Sequence, residues 1–178
     1  MEVGKAMTFL SLLQFSLLPF AFLWLGICVR HDLRTRKVPM WLTVIPLGLA
    51  ALITVLFGRW SSACLLAILI LLSDCASFRI GLGLIGATVI VLIDPGSGLL
   101  NFSIFLVWLL WEKGALGGAD AKILISLLFV WGSAALLVWI ALAGGLQGLV
   151  AWWRKRREIP YTVAILLGSI CFWLATIL

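Results

Sequence analysis

The chain has 178 residues, of which 64% are hydrophobic and only 11% charged, and its formal net charge is +6. Its mean hydropathy is +1.23, and its charged fraction falls far below the roughly 25% of average chains, which excludes a water-soluble globule. Lipid must cover the outside, and the backbone must then satisfy its own hydrogen bonds within helices.

A helix needs about 20 apolar residues to cross a hydrocarbon core of about 30 Å. In chain order the apolar runs are Met7–Val29, Pro39–Phe57, the shorter Ser61–Ser73, Phe78–Ile93, Leu99–Trp111 and Asp120–Trp131, and then Ser133–Trp153 and Pro160–Leu178. They predict an all-α membrane helix bundle with eight transmembrane helices. A six-helix arrangement, in which some short segments merge or re-enter, satisfies the same pattern. Apolar residues run all round each segment with no period of two, which argues against barrel strands. The first run is longer than the core of a signal peptide, Lys5 is its only leading cation, and no small-x-small cleavage site stands out. It therefore reads as a retained helix. A single membrane-embedded domain is expected over residues 1–178.

Charge sets the expected orientation. With the N-terminus outside and alternating helices, all of the 13 Lys and Arg except Lys5 and Arg59 fall on the inner face. The positive-inside rule asks for this asymmetry and predicts a multi-pass protein of the plasma membrane, N-out and C-out. A basic inner face attracts anionic lipid headgroups, so membrane lipid is an expected partner and nucleic acid is not. Cys28, Cys64, Cys75 and Cys171 are scattered through apolar segments without ligand spacing, so they read as buried small hydrophobes. No metal and no cofactor are expected.

Only seven carboxylates exist, and an acid near a membrane helix is costly enough to suggest a function. Glu2 and Asp94 read as outer-loop residues, Glu158 as an offset within a basic run, and Asp74 and Glu112 as solvated loop charges. Asp32 and Asp120 stand in richer settings. Asp32 closes the first helix and opens Asp32-Leu-Arg34-Thr-Arg36-Lys37-Val38-Pro39, where Pro39 suits the first turn of the next helix. Asp120 follows Gly114, Gly117, Gly118 and Ala119 and precedes Lys122. The glycines break one helix and allow close backbone approach. An acid at the start of the next helix is favoured by its dipole, although an N-cap explains such a pattern equally well.

Together these sites resemble the prepilin peptidase family, the GxGD-type membrane aspartyl proteases. There, a first Asp precedes basic residues and an Ile/Val-Pro turn, as in Asp32 to Pro39. A second lies in a G-x-G-D-x-K loop, as in Gly117-Gly118-Ala119-Asp120-Ala121-Lys122. A basic loop leading to Ile-Pro-Phe/Tyr comes before the last helix, as in Arg154 to Arg157 and Ile159-Pro160-Tyr161. Order, spacing and expected side agree from about residue 20 to the C-terminus. Ala119 in place of the second glycine looks like the archaeal preflagellin and prepilin peptidases. Met40 replaces a frequent Asn, and no cysteine-rich cytoplasmic domain accompanies the peptidase domain.

The resemblance implies an aspartic endopeptidase that removes the short basic leader of pilin-like or archaellin precursors at the cytoplasmic face. Asp32 and Asp120 would be catalytic, with Arg34, Arg36 and Lys122 in support. Gly117, Gly118, Ala119, Pro160 and Tyr161 would form the substrate-binding walls. Two carboxylates sharing one proton can activate water and protonate a leaving amine. Helix dipoles favour Asp120 as the ionised partner, with Asp32 carrying the proton. The helix Asp120–Trp131, about 18 Å long, is too short to cross unless its loop is recessed or it continues past Gly132. Gly144, Gly145, Gln147 and Gly148 read as helix-packing residues. A small ion- or proton-coupled transporter using the same aspartates is the alternative, and it asks for polar residues in mid-helix.

Overall fold

The computed structural model describes residues 2–72, 79–155 and 160–177, and side chains within these from Ser16 onward apart from Arg79. Asp74, Cys75, Arg156, Arg157, Glu158 and Ile159 lie outside the described residues. Among those described the chain is all-helical, with no strand. The helices are α1 (Glu2–Thr35), α2 (Met40–Leu56), α3 (Trp60–Leu72), α4 (Arg79–Ile93), α5 (Gly98–Glu112), α6 (Gly118–Trp131), α7 (Ala135–Trp153) and α8 (Tyr161–Ile177), with a 3-10 turn at Pro95–Ser97.

Two helices are long and apolar enough to cross a membrane, Ser16–Thr35 within α1 and Ala135–Trp153. The pair α4 and α5 adds a third if it counts as one span, although the chain bends by 120° at the break between them. α1 runs beyond the apolar stretch that ends at Val29, because its hydrogen-bond ladder continues through charged residues that reach outward. Pro39 lies just before α2 rather than in its first turn, and its carbonyl accepts from the Leu42 amide at 3.1 Å.

The chain forms two compact units, Met1–Leu42 with Ala135–Leu178, and Thr43–Ala134. In the first unit α8 packs against both α1 and α7. The α7–α8 approach is close because Gly168 has no side chain: a Cβ there would lie 2.5 Å from Ile140 Cα. Gly144 meets Tyr161 in the same way, its would-be Cβ 3.4 Å from the ring, whereas Gly145 and Gly148 face open space. The Trp24 indole donates to the Leu42 carbonyl at 2.8 Å, and Phe22 meets Trp173 edge-on with centroids 5.9 Å apart.

In the second unit α3, α4, α5 and α6 surround a core that includes Leu65, Leu69, Ile104, Trp108, Ile123 and Phe129. Trp108 fills the space left by Gly83, where a Cβ would be 2.9 Å from the ring. Ser62 donates to Asn101 Oδ1 at 2.6 Å inside this core, and Asn101 Nδ2 has no partner. α6 ends on Gly132 in the left-handed region, with the Arg59 guanidinium filling the space a side chain would need. Cys28 is buried as expected, but Cys64 and Cys171 are exposed on their helices. Being apolar enough for a lipid-facing surface, they need no burial.

Candidate functional site

Asp32 sits in the last turn of α1, half-buried, and its carbonyl accepts from the Arg36 amide at 2.9 Å. That bond closes the helix with Arg36 in the left-handed conformation, φ 55°. The Thr35 hydroxyl lies between the carbonyls of His31 and Lys37, at 2.9 and 2.8 Å, and shapes the turn toward Pro39. Arg34 and Arg36 are exposed.

The Asp32 side chain is held from far along the sequence. Thr162, buried in the first turn of α8 at 1% exposure, donates its hydroxyl to Asp32 Oδ2 at 2.6 Å. Pro160 directly precedes that helix, its carbonyl accepting from the Val163 amide at 3.2 Å and from Gln147 Nε2 of α7 at 3.1 Å. Tyr161 lies between, its ring against Gly144. The first motif thus meets the start of α8, where Thr162 directly follows Pro160 and Tyr161 of the third.

The second motif belongs to the other unit. Gly117, extended at φ −65° and ψ 145°, caps α6, and its carbonyl accepts from the Ala121 amide at 2.9 Å. Asp120 is the third residue of the helix, half-buried, with its carboxylate folded back over the cap. A Cβ on Gly117 would lie 3.0 Å from Asp120 Oδ2. A Cβ on Gly118 would lie 3.3 Å from the Trp111 indole nitrogen, so Trp111 covers that glycine. Ala119 and Lys122 are half-buried beside them. The glycines serve as cap and contact surface at once, because their missing side chains let Asp120 and Trp111 approach the backbone.

The first unit therefore offers a carboxylate fixed by a buried hydroxyl, and the second unit, by itself, a carboxylate at a helix N-terminus where the dipole favours negative charge. Among the described residues no three His, Cys, Asp or Glu gather as a metal site would require. Sequence reasoning missed Thr162 and Trp111. Thr162 directly follows the Pro160-Tyr161 pair, and a hydroxyl at the start of an apolar helix is the signal that could have found it. Nothing local marks Trp111.

Asp94 is more than an ordinary loop acid. Its Oδ2 accepts from the Ser61 hydroxyl at 2.6 Å, and its Oδ1 accepts from the Ser97 amide at 3.3 Å. The Ser61 hydroxyl first, and Ser97 after it, hold its pKa below the usual aspartate value of 3.8.

The chain matches no family model, no curated protein and no solved structure.

Proposed function

We propose that the protein is a multi-pass membrane aspartyl endopeptidase of the prepilin peptidase type, removing the basic leader of pilin-like or archaellin precursors. The reading takes eight crossings with both termini outside, and the basic loops and both aspartates at the cytoplasmic face. The observation that carries it is the hydrogen bond from Thr162 to Asp32, 2.6 Å long across 130 positions of sequence. It ties the first motif to the residue that directly follows Pro160 and Tyr161 of the third. Asp120, behind its glycine cap, supplies the second carboxylate.

In the proposed reaction one carboxylate takes a proton from water as the water oxygen attacks the scissile carbonyl carbon. The other gives its proton to the departing amide nitrogen, and the C–N bond breaks. General acid–base work of this kind contributes about 10²–10⁴-fold. The substrate lies extended beside Gly117–Ala119, pairing through main-chain hydrogen bonds, with Pro160 and Tyr161 as a further wall. Purified Asp32→Asn and Asp120→Asn should each cut precursor cleavage by about 100-fold or more while keeping a parental thermal melt. Asp74→Asn and Glu112→Gln should retain most activity. Substantial turnover by either aspartate variant would remove that residue from the mechanism.

A second reading, ion- or proton-coupled transport through Asp32 and Asp120, is favoured by the Ser62–Asn101 pair buried among apolar helices. Substrate flux in sealed vesicles that depends on an ion gradient, without cleavage of any precursor, would select it.

A further inference from the structure

We propose that the groove between α7 and α8 binds one anionic phospholipid, with an acyl chain in the groove and the headgroup phosphate on Arg154 and Lys155. The groove has a volume of about 630 Å³ and is walled by apolar groups, among them Trp139, Leu146 and Val150 of α7 and Leu167 and Cys171 of α8. Its one polar side chain, Gln147, has its amide nitrogen engaged by the Pro160 carbonyl. Gln147 Oε1 is buried without a partner, and the rest of the lining is apolar and suits a hydrocarbon chain.

Length and depth match as well. From Trp139 to Val150 the groove follows α7 for about 16 Å at 1.5 Å per residue, about half of a 30 Å hydrocarbon core and so the depth of one leaflet. At its Val150 end the helix finishes: the Arg154 amide donates to the Val150 carbonyl at 3.0 Å. There Trp152 and Trp153 are 79% and 82% exposed, the position of indoles at the headgroup level. Arg154 and Lys155 follow immediately, both exposed. Lys155 holds a left-handed conformation at φ 51°.

Charge selects the occupant. A peptide with a basic leader would bring cations to Arg154 and Lys155, and a zwitterionic lipid gains little from them. An anionic phospholipid satisfies the apolar wall and the cationic mouth together. This inference is independent of the proteolytic reading.

The test is lipid retention by the purified full-length chain in native mass spectrometry, with phosphatidylglycerol and phosphatidylcholine of equal chain length. One phosphatidylglycerol should be retained about thirtyfold over phosphatidylcholine, since each of the two cations contributes about 1 kcal/mol. Arg154→Gln combined with Lys155→Gln should bring retention down to the phosphatidylcholine level. Leu146→Trp, which fills the groove, should lose the bound lipid, and the charge variant decides alone where this one fails to fold. Glycerophosphoglycerol, the headgroup without chains, should not displace the lipid. Equal retention of the two lipids would overturn the proposal, as would a preference that survives loss of both cations. Displacement by the bare headgroup or by inorganic phosphate would reduce the site to an anion patch. A lipid-free dimer would show that a second copy covers the groove.

Discussion

Asp32 and Asp120 are seated by opposite means. Asp32 depends on a tertiary contact, Thr162 of α8, and α8 in turn is set against α7 through Gly168. Asp120 depends on its own neighbours, with Gly117 as cap and a side chain folded back over it. The helix ends differ in the same way. In the unit spanning Thr43–Ala134, Gly58, Gly114 and Gly132 take the left-handed conformation that follows a helix, whereas α1 and α7 close on Arg36 and Lys155. A non-glycine residue there costs about 1–2 kcal/mol, and a cation at a helix C-terminus returns only about 0.3–1 kcal/mol. The strain is therefore not offset locally. Positive charge at the end of a membrane helix has its value in orientation, and in the unit with the two longest apolar helices it takes the left-handed position itself. At its aspartate and its helix ends, one unit relies on a long-range contact and on charge, the other on local backbone chemistry.

Wedging the helices apart is the strongest way to break this contrast. Gly168→Leu places a side chain where Ile140 Cα already stands, and overpacking of this kind typically costs about 1–3 kcal/mol. A lowered melting temperature should accompany lost cleavage, because the displaced α8 carries Thr162 with it. A parental melt would mean that the two helices are not held as closely as the geometry requires.

Thr162→Val keeps the shape and removes the hydroxyl. The loss of about 1 kcal/mol or more should lower cleavage roughly tenfold, and Thr162→Ser should restore most of it. Equal defects in both variants would show that the methyl group, not the hydrogen bond, matters. Gly117→Ala probes the local arrangement. Its new methyl group presses on Asp120 Oδ2, so cleavage should fall about threefold to tenfold, or about 1 kcal/mol, with an unchanged melt. A large drop in melting temperature instead would make the glycine a requirement of folding rather than of the site.

The smallest effect belongs to Asp94. Its folded pKa lies below 3.8, so its bonds to Ser61 and Ser97 contribute stability above that value, which is lost as pH falls through the folded pKa. Asp94→Asn should flatten the acid limb of a melting-temperature profile below about pH 4 and leave neutral activity unchanged. An unaltered acid limb would remove Asp94 from the pH response.

The helical segments were largely legible in the sequence because apolar runs have visible ends. Gly98–Glu112 was expected as Leu99–Trp111, and Met40–Leu56 as Pro39–Phe57. Crossing the membrane is a stricter test than being apolar, and among the described residues two or three spans meet it by length and composition. Within the site, glycine spacing pointed to the Asp120 turn, since the pattern and its cause lie within a few residues. The Thr162 partner of Asp32 lies 130 positions away, and no local pattern encodes which helices will touch. Gly144 was legible as a packing residue, but Gly168, against which the Ile140 backbone lies, looked like any glycine in an apolar run.

α6 raises a different matter. Eight of its 14 residues are buried, from Ala121 to Phe129, so protein rather than acyl chains surrounds most of it. Its length of about 21 Å falls short of a 30 Å hydrocarbon core, which for a lipid-facing helix would mean hydrophobic mismatch and local bilayer thinning. A helix solvated by its own protein escapes that constraint. The segment that carries Asp120 should therefore be insensitive to the thickness of the host bilayer. Any dependence on acyl-chain length would enter through the lipid-facing surfaces of α1 and α7.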